Sequence, residues 1–137
     1  MRHRFQMSVG AHPGGVSAVS AAFAEFAESH GMSAGARRSV SVALDELLAN
    51  ALSHGRTGSD PCSMTVEVEL DQEHVRVIIT DDGPPFDPFG NDAPDTTLSV
   101  EQRPVGGLGL HLVRKLMDRV SYERRSDHNV VELVKQL

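Results

Sequence analysis

The spacing of hydrophobic positions changes several times along the chain, and the helical spacings come first. Val16 to Ser29 and Val40 to Gly55 repeat apolar residues every three or four positions, which predicts two amphipathic helices. A third, shorter helix is predicted from about Gly109 to Asp118. Gly31 is a candidate C-cap of the first helix, and Ser33 is a candidate N-cap leading into the second.

Alternating or β-branched stretches predict strands, and short polar clusters predict the turns between them. A turn is expected at Ser126 to Asn129, between the last two strands. The order β-α-α-β-β-loop-α-β-β favours an α+β, two-layer sandwich, with a mixed, mostly antiparallel sheet and helices on one face. The predicted strands are Arg4 to Val9, Cys62 to Leu70, His74 to Thr80, Val120 to Arg124 and Asn129 to Val134.

A long segment from Gly83 to Pro104 shows no strong period. Pro84, Pro85 and Pro88 fall near its start, and prolines this close together exclude both a helix and strand pairing. A loop of about twenty residues is uncommon inside a compact domain, where such loops are usually lids or disordered segments.

Composition narrows the class of protein. At 137 residues, the chain is predicted to form a single domain over residues 1–137. The formal net charge of −6 argues against nucleic-acid and anionic-membrane partners. Cys62 is the only cysteine, so no intrachain disulfide forms, which fits a reducing compartment. The sequence has no apolar run of transmembrane length and no signal-peptide pattern at its start, so a cytoplasmic protein is expected.

The second helix carries an unusual polar edge beside its apolar stripe. Glu46, Asn50 and His54 are spaced i, i+4 and i+8, so they cover only about 80° of the helix surface. One interpretation is the solvated edge of an amphipathic helix. The other is a polar site, because an amide oxygen suits Mg²⁺ and a carboxylate can accept a proton from an attacking hydroxyl.

Two further segments are compatible with a phosphate-bearing ligand. Asp81 ends a predicted strand, and its carboxylate would accept a hydrogen bond from an exocyclic amine such as that of adenine, unless it only forms an Asp-Gly turn with Gly83. The glycines of Gly106 to Gly109 open a helix, which is either a simple turn or an anion site built from backbone N–H groups. The segment is neither a Walker A motif nor a dinucleotide fingerprint.

These three segments resemble the nucleotide-binding boxes of the gyrase B, histidine-kinase and mismatch-repair ATPase superfamily. ELLANALSHG resembles the N box, DDGPPF the G1 box and GGLGLHLVRKLMD the G2 box, in the same order and at similar spacing. Within the superfamily, the chain is most similar to bacterial anti-sigma-factor serine/threonine kinases, since Glu46 stands where sensor kinases usually carry Asn.

The resemblance implies a Bergerat-type, histidine-kinase-like ATPase fold that binds ATP and Mg²⁺. Glu46 would be the general base, Asn50 would coordinate Mg²⁺, and Asp81 would bind the adenine amino group. The other residues would surround the same nucleotide: His54 near the phosphates, Gly83 beside Asp81, and Gly107, Leu108 and Gly109 as backbone donors to the phosphates.

The same resemblance implies a function and its partners. The chain would transfer the γ-phosphoryl group of ATP to a Ser or Thr of a STAS-type anti-sigma-factor antagonist, would sequester a sigma factor, or both; a homodimer is also implied. One departure keeps alternatives open, because Pro85 replaces the second glycine of the G1 box. The alternatives are a non-catalytic, ATP-gated binding module and a detached histidine-kinase catalytic subunit.

Overall fold

The elements follow one another in the predicted order. A computed structural model describes residues 2–10, 12–54, 63–89 and 107–137. Within these ranges, the elements are β1 (His3–Gly10), α1 (Pro13–Ser29), α2 (Ala34–His54), β2 (Ser63–Leu70), β3 (His74–Asp81), α3 (Gly107–Leu116), β4 (Arg119–Arg125) and β5 (His128–Gln136).

The strands form one five-stranded sheet in the order β1-β2-β3-β5-β4. Every pairing among these strands is antiparallel, so the expectation of a mixed sheet is wrong in that detail. The sequence predicted the two hairpins, β2–β3 and β4–β5. It did not predict that β5 lies between β3 and β4, and this order places the start of β5 beside the end of β3.

The core lies between the sheet and the helices. Burial alternates along β2 and β3, which shows that one face of each strand is covered. Phe23 of α1 and Leu44 of α2 are fully buried against it, and such a side chain contributes about 1.5–3 kcal/mol of stability. The opposite face carries charged residues, including an ion pair of 2.8 Å between Arg76 and Glu132. The helices therefore cover one side of the sheet, which confirms the predicted two-layer architecture.

The junction between α1 and α2 follows the predicted capping pattern. Gly31 has a φ of +73°, which a glycine adopts without strain. Its N–H donates to the carbonyl of Glu28, and the N–H of Met32 donates to that of Ala27, as in a Schellman motif. The Ser33 hydroxyl accepts a hydrogen bond of 3.2 Å from the N–H of Ala36, so the predicted N-cap is confirmed.

Two boundaries differ from the sequence prediction. α1 begins at Pro13 because proline suits the first turn of a helix, and the His12 ring accepts the N–H of Gly15 there. The turn between β4 and β5 is only Ser126 and Asp127, which both have positive φ, of 50° and 63°. That conformation matches a tight type I′ hairpin turn. Asn129 is therefore a strand residue, which confirms its place in the predicted last strand, while the prediction that the turn extends to Asn129 is wrong.

None of the helices in the described ranges is long and apolar enough to cross a membrane.

Candidate functional site

A cleft lies between α2 and the adjoining ends of β3 and β5. It brings together Asn50 and Asp81, which the sequence analysis predicted as parts of one site. Apolar side chains make up most of its walls, as expected for a pocket that receives a flat ring. The lining residues are Leu47, Asn50, Ala51, Ile79, Asp81, Pro84, Phe86, Pro88, Asn129 and Val131.

α2 supplies the predicted polar edge. Its apolar stripe buries Leu44, Leu47 and Leu48, which fixes the rotation of the helix. Glu46 and Asn50 are both half-buried beside this stripe, one helical turn apart. His54 is the last residue of α2, and its side chain lies outside the described part of the structure.

Asp81 is the last residue of β3, and the residue as a whole is only 8% exposed. Its Oδ1 accepts hydrogen bonds from the N–H of Gly83, at 3.0 Å, and from Nδ2 of Asn129, at 2.9 Å. No described residue donates a hydrogen bond to Oδ2. An atom of the described residues that is buried without a hydrogen-bond partner would be a distinct case, and Oδ2 is not one of these atoms. Oδ2 is therefore an accessible acceptor at the cleft wall.

The neighbouring carboxylate, that of Asp82, forms hydrogen bonds to a different part of the structure. Asp82 is exposed, and its side chain accepts the backbone N–H of Ser63 at 2.9 Å and the Ser63 hydroxyl at 3.2 Å. The backbone hydrogen bond from Ser63 is the main reason that the pKa of Asp82 lies below its usual value. Asp82 thus ties the end of β3 to the start of β2, whereas Asp81 faces the cleft.

Asn129 is a member of the site that the sequence analysis missed. It lies directly opposite Asp81 in the β3–β5 register and is only 4% exposed. Its Nδ2 donates to Asp81 Oδ1 and, at 2.8 Å, to the carbonyl of Pro84. A sequence signal existed, because Asn129 begins an inward-facing series whose next members, Val131 and Leu133, are apolar.

The amide oxygen of Asn129 accepts hydrogen bonds from β4 and from the loop after β3. Tyr122 and Arg124 lie on β4, and Phe86 lies in the loop after β3. None of the three was singled out from the sequence, because each depends on strand pairing and loop path. Their hydrogen bonds to Asn129 Oδ1 are those of the Tyr122 hydroxyl at 2.6 Å, the Phe86 N–H at 3.2 Å and Arg124 Nη1 at 3.3 Å.

The loop after β3 is held by arginines at both ends of its described part. Arg124 Nη1 donates to the carbonyl of Gly83 at 2.7 Å. The Arg114 guanidinium of α3 donates to the carbonyl of Phe89 and lies 5.7 Å from the centre of its ring. Pro85 is exposed between these anchors. The rest of the predicted loop, residues 90–106, lies outside the described residues.

Gly107, Leu108 and Gly109 are the first three residues of α3, so the helix begins within the predicted glycine cluster. Backbone N–H groups in a first helical turn have no partner within the helix. In the described ranges, no group of three or more His, Cys, Asp or Glu residues could hold a metal ion. Asn50 lines the cleft, and its side chain carries an amide oxygen, a hard ligand of the type that Mg²⁺ prefers.

The chain is similar to proteins of known class over most of its length. Residues 9–135 match the family model of the histidine kinase-like ATPase domain. The chain is 32% identical over 101 residues to the serine/threonine-protein kinase BtrW of Bordetella bronchiseptica, covering 74% of this chain and 71% of that one. It is 29% identical over 131 residues to the serine-protein kinase RsbW of Listeria monocytogenes, covering 88% and 79%.

A solved structure agrees with the fold. The crystal structure of the RsbU and RsbW domains of a protein from Mycobacterium tuberculosis superposes with a TM-score of 0.68 at 15% identity. The alignment covers 98% of this chain and 32% of that longer one. At this identity the match concerns the fold alone, and it confirms the predicted α+β class.

Proposed function

Because this chain belongs to the histidine kinase-like ATPase family, we propose that it is an ATP-dependent serine/threonine-protein kinase of the anti-sigma-factor type. The observation that carries the proposal is the shared cleft of Asn50 and Asp81, two predicted site residues that come from different elements. Both similar proteins named above are serine or serine/threonine kinases, which supports the same activity here.

The cleft suits an adenine ring. Ile79 and Val131 supply apolar surface for the flat ring, and Asp81 Oδ2 supplies an acceptor for its exocyclic amine. Guanine would place a carbonyl oxygen at the same point, where two acceptors would face each other without a proton. The cleft therefore selects ATP over GTP in this proposal, with Gly83 N–H holding the other oxygen of Asp81.

The phosphates would extend from the cleft toward the start of α3, where the backbone N–H groups of Gly107, Leu108 and Gly109 are available as donors. Asn50 would hold Mg²⁺ through its amide oxygen, with His54 on the next turn near the phosphates. When bound, the ion neutralises charge on the phosphate oxygens.

Glu46 would accept the proton of the attacking hydroxyl. In the transfer, the Ser or Thr oxygen forms a bond to the γ-phosphorus while the bond from that phosphorus to the β–γ bridging oxygen breaks. ADP leaves with the bridging oxygen, and the hydroxyl proton passes to the Glu46 carboxylate. Glu46 is half-buried one turn before Asn50, so one helix would position both the base and the metal ligand in this proposal.

We propose a STAS-type anti-sigma-factor antagonist as the phosphoryl acceptor and a sigma factor as the protein that is sequestered. The proposal is supported by the relatedness to RsbW and BtrW. The homodimer implied by the resemblance stays a prediction; β1 is an edge strand of the sheet and offers one surface for it.

The activity is tested with Glu46→Gln. With Mg²⁺-ATP and a candidate antagonist, this variant should bind ATP as the wild type does and transfer phosphate roughly a hundredfold more slowly or worse, because a general base contributes about 10²–10⁴-fold. Glu28→Gln, an exposed carboxylate of α1, is the matched control. Transfer by Glu46→Gln at the wild-type rate would show that the base is a different group. Acid stability of the product separates a phosphorylated Ser or Thr from a phosphorylated His.

A second candidate function follows from Pro85. The loop after β3 is anchored at Gly83 and at Phe89, and a proline between the anchors further restricts its backbone. Such a loop favours a module that uses ATP to present a binding surface and does not turn it over. Single-turnover measurements distinguish the two: tight ATP binding with no transfer to any partner favours the binding module.

A further inference from the structure

A buried amide with all its hydrogen-bonding capacity used lies behind the cleft. Asn129 points to the covered face of the sheet, where its strand neighbours Val131 and Leu133 are buried apolar residues. Burial of an amide among such residues costs stability unless its polar atoms are paired. Both N–H groups of Asn129 are paired, with Asp81 and with the Pro84 carbonyl.

These partners allow only one orientation of the amide. Three donors converge on its oxygen: the Tyr122 hydroxyl, the Phe86 N–H and the Arg124 guanidinium. Two acceptors face its nitrogen, and neither of them can donate. Rotating the amide by 180° would oppose the Phe86 N–H and the Arg124 guanidinium with N–H groups, and the two acceptors with an oxygen. Only the Tyr122 hydroxyl, which can also accept, would keep a contact. The amide nitrogen therefore always faces Asp81.

This orientation has a direct consequence for Asp81. Oδ1 receives two N–H donors, one from Asn129 and one from Gly83, and both bonds fix the rotation of the carboxylate. The other oxygen, Oδ2, is left as the acceptor at the cleft wall. Without the Asn129 amide, the carboxylate would keep one donor on Oδ1 and could rotate about its side-chain bonds.

We propose that Asn129 is a positioning residue for base recognition: it presents Oδ2 of Asp81 to the exocyclic amine of the bound purine. This inference rests on the proposed function, because it takes ATP as the ligand of the cleft. It predicts that loss of the Asn129 amide weakens the contact to that amine specifically, while apolar contacts to the ring and backbone contacts to the phosphates remain.

Purine riboside triphosphate tests this, since it is ATP without the exocyclic amine. Wild-type protein should bind ATP roughly tenfold or more tightly than this analogue, the scale of one hydrogen bond to a charged group. In Asn129→Ala, ATP affinity should fall until the two ligands differ by about threefold or less. Thr80→Ala is the matched control, because Thr80 lies next to Asp81 on the uncovered face of the sheet and should leave the ratio unchanged.

The ratio separates positioning from a merely structural role. If both ligands lose affinity by the same factor in Asn129→Ala, or if the ratio keeps its wild-type value, the proposal is wrong. Asn129→Asp provides a second variant of nearly the same shape. At pH 8 it places a carboxylate where the amide donor was, so the preference for ATP should again disappear; a preserved preference would overturn the proposal.

Folding of each variant is checked by circular dichroism. If neither variant folds, the wild type still gives the answer by NMR: the side-chain amide signals of Asn129 should shift much more with ATP than with the analogue. Equal shifts would contradict the proposal. Failure of the wild type to bind ATP at all would overturn the proposed function and this inference with it, whereas ATP binding with an unchanged ratio overturns only the inference.

Discussion

Asp81 and Asp82 are adjacent carboxylates with different environments. Alternation along β3 turns Asp81 toward the covered face, where it meets the cleft, and leaves Asp82 exposed and bonded to Ser63. The two residues are of the same type, and the sequence analysis chose Asp81 by its place at the strand end and by the resemblance to the G1 box. The difference between them depends on which face of the strand is covered, and the burial pattern of β3 supplies this.

Asp81→Asn should reduce the preference for ATP over GTP. A buried acceptor left unpaired costs about 1–3 kcal/mol, so the wild type should prefer ATP by roughly 5- to 150-fold. An amide can turn a donor toward the guanine carbonyl, which removes part of this difference. Calorimetric titration of each nucleotide measures it.

Asp82→Asn is the matched control for that measurement. It changes the adjacent carboxylate in the same way, but its partner is Ser63 and not the cleft, so the preference for ATP should be retained. Equal affinities of ATP and GTP for the wild-type protein would show that Asp81 does not read the base.

Some residues of the site were predicted because their signals are local. Asn50 lies at helical spacing from Glu46, and Asp81 precedes Gly83 at a strand end. Other residues of the site form contacts between elements that are distant in the sequence, and no short stretch of sequence encodes such contacts. These residues are Asn129, Arg124 and Arg114. The roles of Asn129 and Arg124 follow only once β5 is known to lie beside β3, and that of Arg114 depends on the contact of α3 with Phe89.

At the scale of elements, the start of α1 shows why helix boundaries were hard to predict. Glycines and a proline, here Pro13, are residues typical of a turn, but the backbone of Gly15 is packed closely against the end of β1. A Cβ atom built on Gly15 would lie 2.3 Å from the carbonyl oxygen of Gly10, closer than real atoms approach. Glycine is required there by this close contact, while the helix begins at Pro13.

Gly15→Ala should therefore destabilise the protein, although alanine favours a helix by about 0.8–1.0 kcal/mol. The clash is with backbone, which cannot move away without opening the contact between β1 and α1, and a cost of about 1–3 kcal/mol is expected, the range for inserting an extra methyl into a packed site. Chemical denaturation of the variant gives the change in unfolding free energy.

Gly35→Ala is the control within the same fold. Gly35 lies in the first turn of α2, and a Cβ there meets nothing within 4 Å. This substitution should leave stability unchanged or raise it by up to about 1 kcal/mol. A stabilising Gly15→Ala, or equal effects of the two substitutions, would mean that β1 and α1 are not packed as described.

For the whole molecule, the sequence predicted the layers better than the order of strands. Period-two alternation and helical spacing each indicate which face of an element is covered. This information is sufficient to predict a two-layer α+β fold. The position of β5 between β3 and β4 is a long-range property that no local pattern specifies. It is also what completes the cleft, because β5 brings Asn129 and Val131 to the end of β3.

A cleft assembled from α2, β3 and β5 links nucleotide binding to the stability of the entire fold. A ligand that binds only the folded state stabilises it by about 2.7 kcal/mol when present at a hundred times its Kd. For a protein of this size, Mg²⁺-ATP should then raise Tm by roughly 10 °C.

Asn50→Ala should keep the increase in Tm seen with ATP in EDTA and lose the further increase that Mg²⁺ gives the wild type. Asn50→Asp retains an oxygen ligand, so its response to Mg²⁺ should persist. Thermal melts of the three proteins, each with ATP in EDTA and in Mg²⁺, test this together. An undiminished Mg²⁺ increment in Asn50→Ala would remove Asn50 from the metal site, and no stabilisation of the wild type by ATP would mean that the cleft does not bind it.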